Sequence, residues 1–397
     1  MTRSTRSDYG NRDPGRRPRI AVIHSNAAYL TGLRLPLLRH LRERADILAF
    51  APRLADGHLR LLAELGIEGR SFELSPTGLN PFRDALDTVR LARTLRAEAP
   101  DAVLTNTIKP VIFGTFAASL AGVARRYALV SGLGYAFTDA GDGGGGLKKR
   151  LVRRVTSFLY RIAFRLNRRV IFQNPDDMAE VVAAGICAPA RAAWVPGSGV
   201  DVDAFSASSA DPRPSFIMVG RLLAEKGVRE YLRAARIAKQ RVPEATFLLV
   251  GDVDPNPSAI DPGELQPYLD DGIVEWPGAV PDVRPWLRRA SVFVLPSYRE
   301  GIPRSTLEAM AIGLAVITTD APGCRQTVPD GANGLLVPVR DAEALADAMV
   351  RLATDLPLVA MMGQASRALA ESAFDIAIVH RRMDELMDLT ASEGAVA

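Results

Sequence analysis

Cysteine is almost missing from this sequence: 397 residues hold two, Cys187 and Cys324, far apart. Such a pair makes no disulfide framework, and nothing in it argues for an oxidising compartment. No run of about 18 apolar residues occurs, so no membrane span is expected. The first residues, MTRSTRSDYGNRDPGRRPR, are basic and polar, with no apolar segment of a secretory signal behind them. His24, His40, His58 and His380 are scattered without metal-ligand spacing; His24 stands apart because it ends the first apolar run. The first βα turn lacks Gly-x-Gly-x-x-Gly, which argues against a dehydrogenase. GDGGGG (141–146) has Leu147 where a P-loop needs lysine, and reads instead as a flexible lid or disordered loop. Asp252-Val-Asp254-Pro-Asn256 lacks the glycine and closing glutamate of a calcium loop.

What is present has the composition of a globular protein, 48% hydrophobic and 24% charged with a formal net charge of +4. The length favours two or three domains. Short apolar runs alternate with helix-like segments: RIAVIH (19–24), ILAF (47–50), AVLT (102–105), YALVSG (127–132) and VIFQN (170–174), with helical patterns over 33–41, 81–98 and 110–120. That alternation implies βαβ units and a parallel sheet. The pattern breaks at WVPGSGVDVDAF and SASSADPRP, a turn-rich boundary. A second series then begins with FIMVG (216–220), TFLLVG (246–251), IVEW (273–276), VFVLP (292–296), AVIT (315–318) and GLLV (334–337). The expected organisation is a disordered basic tail (1–17), an N-terminal Rossmann-like domain (18–195), a C-terminal one (196–372), and a last helical segment (373–397) packing back on the first domain. The tail is either a solvated one or an arm for an anionic partner.

Ligands of open α/β sheets lie at the carboxyl ends of strands, so motifs directly after strands carry the most weight. EGIPRSTLE (300–308) follows VFVLP and a short turn. Pro303 suits the first position of a helix, which leaves the amides of Gly301, Ile302 and Arg304 at a helix N-terminus, a ready site for a diphosphate. Carboxylates repel phosphate, so Glu300 and Glu308 suit hydroxyls of a sugar and a ribose; alone, each reads equally well as a surface glutamate. GRLLAEKG (220–227) follows the first strand of the second series. Arg221 and Lys226 there suit a departing nucleoside diphosphate. Both motifs call for the same ligand.

GRLLAEKG, the turn at Gly278-Ala-Val280, PSYREGIPRSTLEAMAIGLAVITTDAPGC and NGLLVP together resemble the donor half of the retaining family-4 glycosyltransferases. That resemblance implies the α/β GT-B fold, two Rossmann-like domains facing each other across a cleft. It also implies transfer from a nucleotide-sugar donor, with no resident cofactor and no metal. Carried over by position, Arg221 and Lys226 hold the diphosphate, Glu300 supports the sugar, and Gly301, Ile302, Pro303 and Arg304 surround phosphate or sugar. Glu308 holds the ribose, Val280 faces the base, and Gly32 brings an amide to the diphosphate. The first half departs from the pattern: SGLGYAFTD (131–139) has no histidine where many members carry one. It is similar to the subgroup that extends polyprenyl-diphosphate-linked sugars, with Asn106 and Lys109 of TNTIKPVIFG (105–114) in its acceptor-side loop. The resemblance thus implies a UDP-linked donor and a lipid-linked glycan acceptor, in the cytoplasm at the inner membrane face; no nucleic-acid partner is implied.

A separate feature agrees. Residues 147–169, from Leu147 to Arg169, contain no acidic residue. On a helix, Val152, Val155, Leu159, Ile162 and Leu166 form one stripe, with Arg150, Arg153, Arg154, Arg161, Arg165 and Arg168 largely opposite. Such a helix either lies on a membrane surface or packs its stripe on a sheet with its arginines solvated. Two competing classes share the architecture: a nucleotide-sugar 2-epimerase, and a sugar-nucleotide-binding scaffold without activity. A glycosyltransferase with a soluble acceptor is the nearer alternative.

Overall fold

Short runs of Val, Ile, Leu, Phe and Ala become strands because parallel sheets are covered on both faces and admit few polar side chains. The first sheet contains β1 (Arg19–His24), β2 (Asp46–Ala51), β3 (Glu68–Ser71), β4 (Ala102–Asn106), β5 (Arg125–Val130), β6 (Arg169–Phe172) and β7 (Ala192–Trp194). Their order is β3-β2-β1-β4-β5-β6-β7. The second contains β8 (Ser215–Val219), β9 (Thr246–Val250), β10 (Glu275–Gly278), β11 (Val292–Leu295), β12 (Ala315–Thr319) and β13 (Gly334–Val337), ordered β10-β9-β8-β11-β12-β13. The computed structural model describes residues 16–73, 81–133, 147–207, 213–254, 256 and 258–389. The expected basic tail (1–15 of it), the end of SGLGYAFTD, the GDGGGG loop and residues 208–212 of the turn-rich boundary lie outside the described residues.

Strand order decides where a site can form. Sequence order reverses between β1 and β4 in the first sheet and between β8 and β11 in the second, so loops after these neighbours diverge to opposite faces and open a crevice. His24 stands beside Asn106 across the first of these switch points. At the second, Val292 lies beside Phe216, which brings the segments after β8 and β11 together.

Two compact units divide the chain: residues 1–128 with 166–168, and residues 129–165 with 169–397. In the first, Ala21, Ile23, Leu48, Phe50, Leu91, Leu95 and Val103 make a core between sheet and helix. In the second, Phe216, Ile217, Leu248, Phe293, Val294, Val316 and Leu345 are among the buried residues of a larger core. In this unit the helix Ile376–Leu386 starts beside Val200, whose carbonyl accepts the Ile376 amide at 2.9 Å.

Elements differ from the sequence pattern where a strand is polar or very short. β3 (EGRS) and β7 (AAW) end the first sheet; the first is polar, and the second is apolar but only three residues long. IVEW forms its strand two residues later, at Glu275–Gly278. The helical pattern over 33–41 becomes the helix Leu35–Arg44, and a short helix not read from the sequence, Ala27–Thr31, precedes it. Gly32 caps that short helix, where a Cβ would sit 2.9 Å from the Ala28 carbonyl oxygen.

The helix Val228–Arg241 shows how a loop is fixed. It buries Val228, Tyr231, Leu232, Ala235 and Ala238 at i, i+3, i+4 spacing. The Tyr231 hydroxyl donates to the Leu248 carbonyl at 2.8 Å. Gly227, its N-cap, has φ of 75°, and a Cβ there would meet the Pro296 carbonyl oxygen at 2.2 Å. Gly227→Ala is therefore expected to cost about 2 kcal/mol or more in denaturant unfolding; an unchanged midpoint would contradict this backbone conformation.

Candidate active site

At the switch point of the second sheet, the segment after β8 brings Lys226 to Glu300 of the segment after β11, and the Lys226 ammonium donates to Glu300 Oε1. The Tyr298 amide donates to the Glu225 carbonyl at 2.9 Å and joins the same two segments by backbone. Both charged side chains are largely buried, at 20% and 12% exposure, so the pair is little screened by solvent.

The Glu300 loop is boxed in on several sides. Its amide donates to Pro322 O at 2.9 Å, and its carbonyl accepts from Asn174 Nδ2 at 3.3 Å. A Cβ on Gly301 would sit 2.6 Å from the Ser131 carbonyl oxygen, and one on Gly323 would sit 2.1 Å from the Glu300 carbonyl oxygen. Glycine at both positions is what lets three segments approach so closely. Arg299 anchors the loop further: its guanidinium donates to Asp177 and, at 2.7 Å, to Glu180 Oε2. Asp177 is buried, and that burial raises its carboxyl above the ordinary range while Arg299 pulls the other way.

Beyond Glu300 the helix is Arg304–Ile312, with Pro303 as its N-cap in extended conformation. This corrects the expected first helical position of Pro303 by one residue: its ψ of 119° is extended rather than helical. Among the described residues the amides of Gly301 and Ile302 make no backbone hydrogen bond, and they precede the positive end of a helix dipole. Ile302 is buried, packed against Gly197.

Glu308 is far from the solvated helix glutamate that one reading allowed. It is 8% exposed and accepts from Arg304 Nε at 2.7 Å. Burial raises its carboxyl above the usual range; Arg304 opposes the shift, and Asp282 adds to it. Such a group favours hydroxyl partners over phosphate. Arg221 donates to Asp254 Oδ2 at 2.8 Å, so the segment that fails as a calcium loop pairs instead with an arginine. Among the described residues no group of three His, Cys, Asp or Glu could hold a metal ion. Val280 is half-buried in the loop after β10.

Gly32, Asn106 and Lys109 belong to the other unit. Asn106 ends β4 and is buried; Lys109 Nζ donates to Asp84 Oδ1 at 3.0 Å. His24, buried beside Asn106, accepts from the Asn26 amide at 3.0 Å. Burial, with Arg34 nearby, pushes its imidazole down to about 4, so it is neutral near pH 7.

Sequence reasoning missed Asn174, Asp177, Glu180 and Arg299. A signal existed: Asn174-Pro175-Asp176-Asp177 is an N-cap with acids in the first turn, and Asn174 does cap the helix Pro175–Ala183. Nothing local pointed it at a loop more than a hundred residues away.

The model of glycosyl transferases group 1 matches residues 213–355, and that of the glycosyl transferase 4-like domain matches residues 33–198. The N,N'-diacetylbacillosaminyl-diphospho-undecaprenol alpha-1,3-N-acetylgalactosaminyltransferase of Campylobacter jejuni is 30% identical over 85% of this chain and 90% of its own length. The chain belongs to this glycosyltransferase family. A second relative, the UDP-Gal:alpha-D-GlcNAc-diphosphoundecaprenol alpha-1,3-galactosyltransferase of Escherichia coli, is 27% identical over 78% of this chain and 79% of its own. HepE of Anabaena, solved in complex with UDP and glucose, superposes with a TM-score of 0.71 at 19% identity, over 94% of this chain and all of that one. The fold is thus GT-B, as the motifs implied.

In a glycosyltransferase, a lysine beside the leaving group acts on charge that develops in the transition state. Lys226→Met is expected to lower kcat by about a hundredfold or more while thermal unfolding stays cooperative. A kcat within threefold of the parent would remove Lys226 from the reaction.

Proposed function

We propose that this enzyme transfers a sugar, hexose or N-acetylhexosamine, from a UDP-linked donor to a polyprenyl-diphosphate-linked acceptor, with retention of anomeric configuration. The observation that carries the reading is the Lys226–Glu300 pair placed beside the unbonded amides of Gly301 and Ile302. One ligand answers all of them: a diphosphate for the amides and the lysine, a sugar hydroxyl for the carboxylate. The activities of the two relatives, each acting on a diphospho-undecaprenol-linked sugar, suggest the acceptor class.

Arg221 and Lys226 neutralise the departing diphosphate, Glu300 holds the sugar near its reacting face, Glu308 takes ribose hydroxyls, and the Val280 loop faces the base. Retention requires attack from the face that the leaving group vacates. The diphosphate oxygen on that face accepts the acceptor's proton, so no enzymic base is needed there. These protein cations do the work that a bound metal would otherwise do. Gly32, Asn106 and Lys109 belong to the reading as donor and acceptor contacts of the first unit.

The helix Leu147–Leu166 favours work at a membrane surface. It buries Thr156, Tyr160, Ala163 and Phe164, while Leu151 at 61% and Phe158 at 58% face solvent and Val152 and Val155 are also exposed. Val152 and Val155 of the apolar stripe thus lie open to solvent while Leu159, Ile162 and Leu166 are partly buried, which supports the membrane-surface reading for the start of the helix. Exposed Arg153, Arg154 and Arg165 share the helix, a composition suited to anionic lipid. No helix among the described residues is long and apolar enough to cross a membrane.

The first test is UDP release from a panel of UDP-sugars, with and without a membrane lipid extract. Release that needs both one donor and the extract, with the donor's anomeric configuration kept in the product, is expected. Donor conversion without extract would point to an epimerase or a soluble acceptor, and an inverted product would overturn the retaining mechanism. For the helix, Phe158→Asp is expected to cut sedimentation with phosphatidylglycerol vesicles several-fold; equal sedimentation would remove it from the membrane.

A further inference from the structure

Asp84 and Asp87 sit three residues apart on the helix Pro81–Glu98 of the first unit and are 1% and 2% exposed. Asp84 gives one oxygen to Lys109, and its other oxygen has no hydrogen-bond partner. Asp87 is odder, since neither of its oxygens has a hydrogen-bond partner. Its cations stand off, Arg90 Nη1 at 3.6 Å and Arg83 Nε at 3.9 Å. Arg90 Nη1 lies closer to Glu73 Oε2, at 2.9 Å. A buried acceptor without a donor is costly, and native structures keep few of them.

Asp87 also lines a cavity of about 680 Å³, shared with Arg53, Phe72, Glu73, Arg83 and Arg90, and large enough for a small organic ligand. The cavity lies at the carboxyl ends of β2 and β3, where α/β sheets receive ligands. Its chemistry narrows the ligand. A phosphate would meet two carboxylates, and no three-residue metal group exists among the described residues. Hydroxyl groups donate to Asp87 and accept from arginine, while Phe72 offers an apolar ring to the face of a pyranose.

We propose that this cavity is a carbohydrate subsite in which Asp87 accepts hydrogen bonds from two hydroxyls of one sugar ring, flanked by Arg90 and Phe72. Resting on the acceptor reading above, it takes a sugar residue of the lipid-linked glycan.

Saturation-transfer NMR on the full chain, with methyl glycosides of galactose and N-acetylglucosamine as probes, tests the subsite without needing turnover. One probe or both should receive saturation, and Asp87→Asn or Arg90→Met should reduce it at least tenfold. Replacing a buried, unbonded charge relieves its desolvation, so Asp87→Asn should also hold Tm or raise it by about 2 °C. With short-chain lipid-linked acceptors, the same variants should raise acceptor KM tenfold or more, against less than threefold in kcat. Equal saturation in parent and variants would overturn the subsite, as would a fall in Tm together with binding, because Asp87 would then be a structural ion-pair partner. Asp87-dependent sugar binding in an enzyme that transfers to no lipid-linked acceptor would overturn the acceptor reading alone. Transfer with unaltered acceptor KM in both variants would overturn the subsite alone.

Discussion

The ion pair between Lys226 and Glu300 is the contact on which the proposed donor site depends. It joins the two segments that leave the second sheet at its switch point, β8 and β11. Each partner comes from a loop that glycine makes possible: Gly227 in the left-handed region after Lys226, and Gly301 pressed against the Ser131 carbonyl. A carboxylate and an ammonium held this way lose little freedom when a substrate arrives. Preorganisation of that kind, more than the strength of any one hydrogen bond, lets polar groups favour a transition state.

The same physics runs through the other buried charges. Burial disfavours the charged form of a carboxylate unless donors or cations compensate. Glu308 and Asp177 have arginines within hydrogen-bond distance and still show carboxyls raised by burial. Asp87 has only distant cations. A fold selected for stability alone would place apolar residues at such positions. All three lie on helices, Asp177 and Glu308 in the second unit and Asp87 in the first, and each is a polar group suited to a hydroxyl-rich ligand such as the one proposed.

Much of this was legible in the sequence, for a physical reason. Parallel strands buried on both faces must be apolar, so β1, β2, β4, β8, β9, β11 and β12 announce themselves. The edge strands β3 and β7, paired on one side only, do not: β3 is polar, and β7 is only three residues long. Lys226, Glu300 and Glu308 stood out because each belongs to a motif soon after a strand, though nothing local told that Lys226 and Glu300 would pair. Arg299 and Asp177 did not, since their meeting depends on long-range packing that no local pattern encodes. The basic amphipathic helix was half legible: periodicity gave the helix, while only the fold shows that Tyr160 and Phe164 are buried and Phe158 is not.

The most direct test of the central contact is a double-mutant cycle on kcat with Lys226→Met, Glu300→Gln and the pair. Groups that act as one unit are strongly non-additive. The double variant is expected to be no slower than the worse single variant, within about threefold. Losses that simply multiply would contradict it and make Lys226 and Glu300 independent contributors.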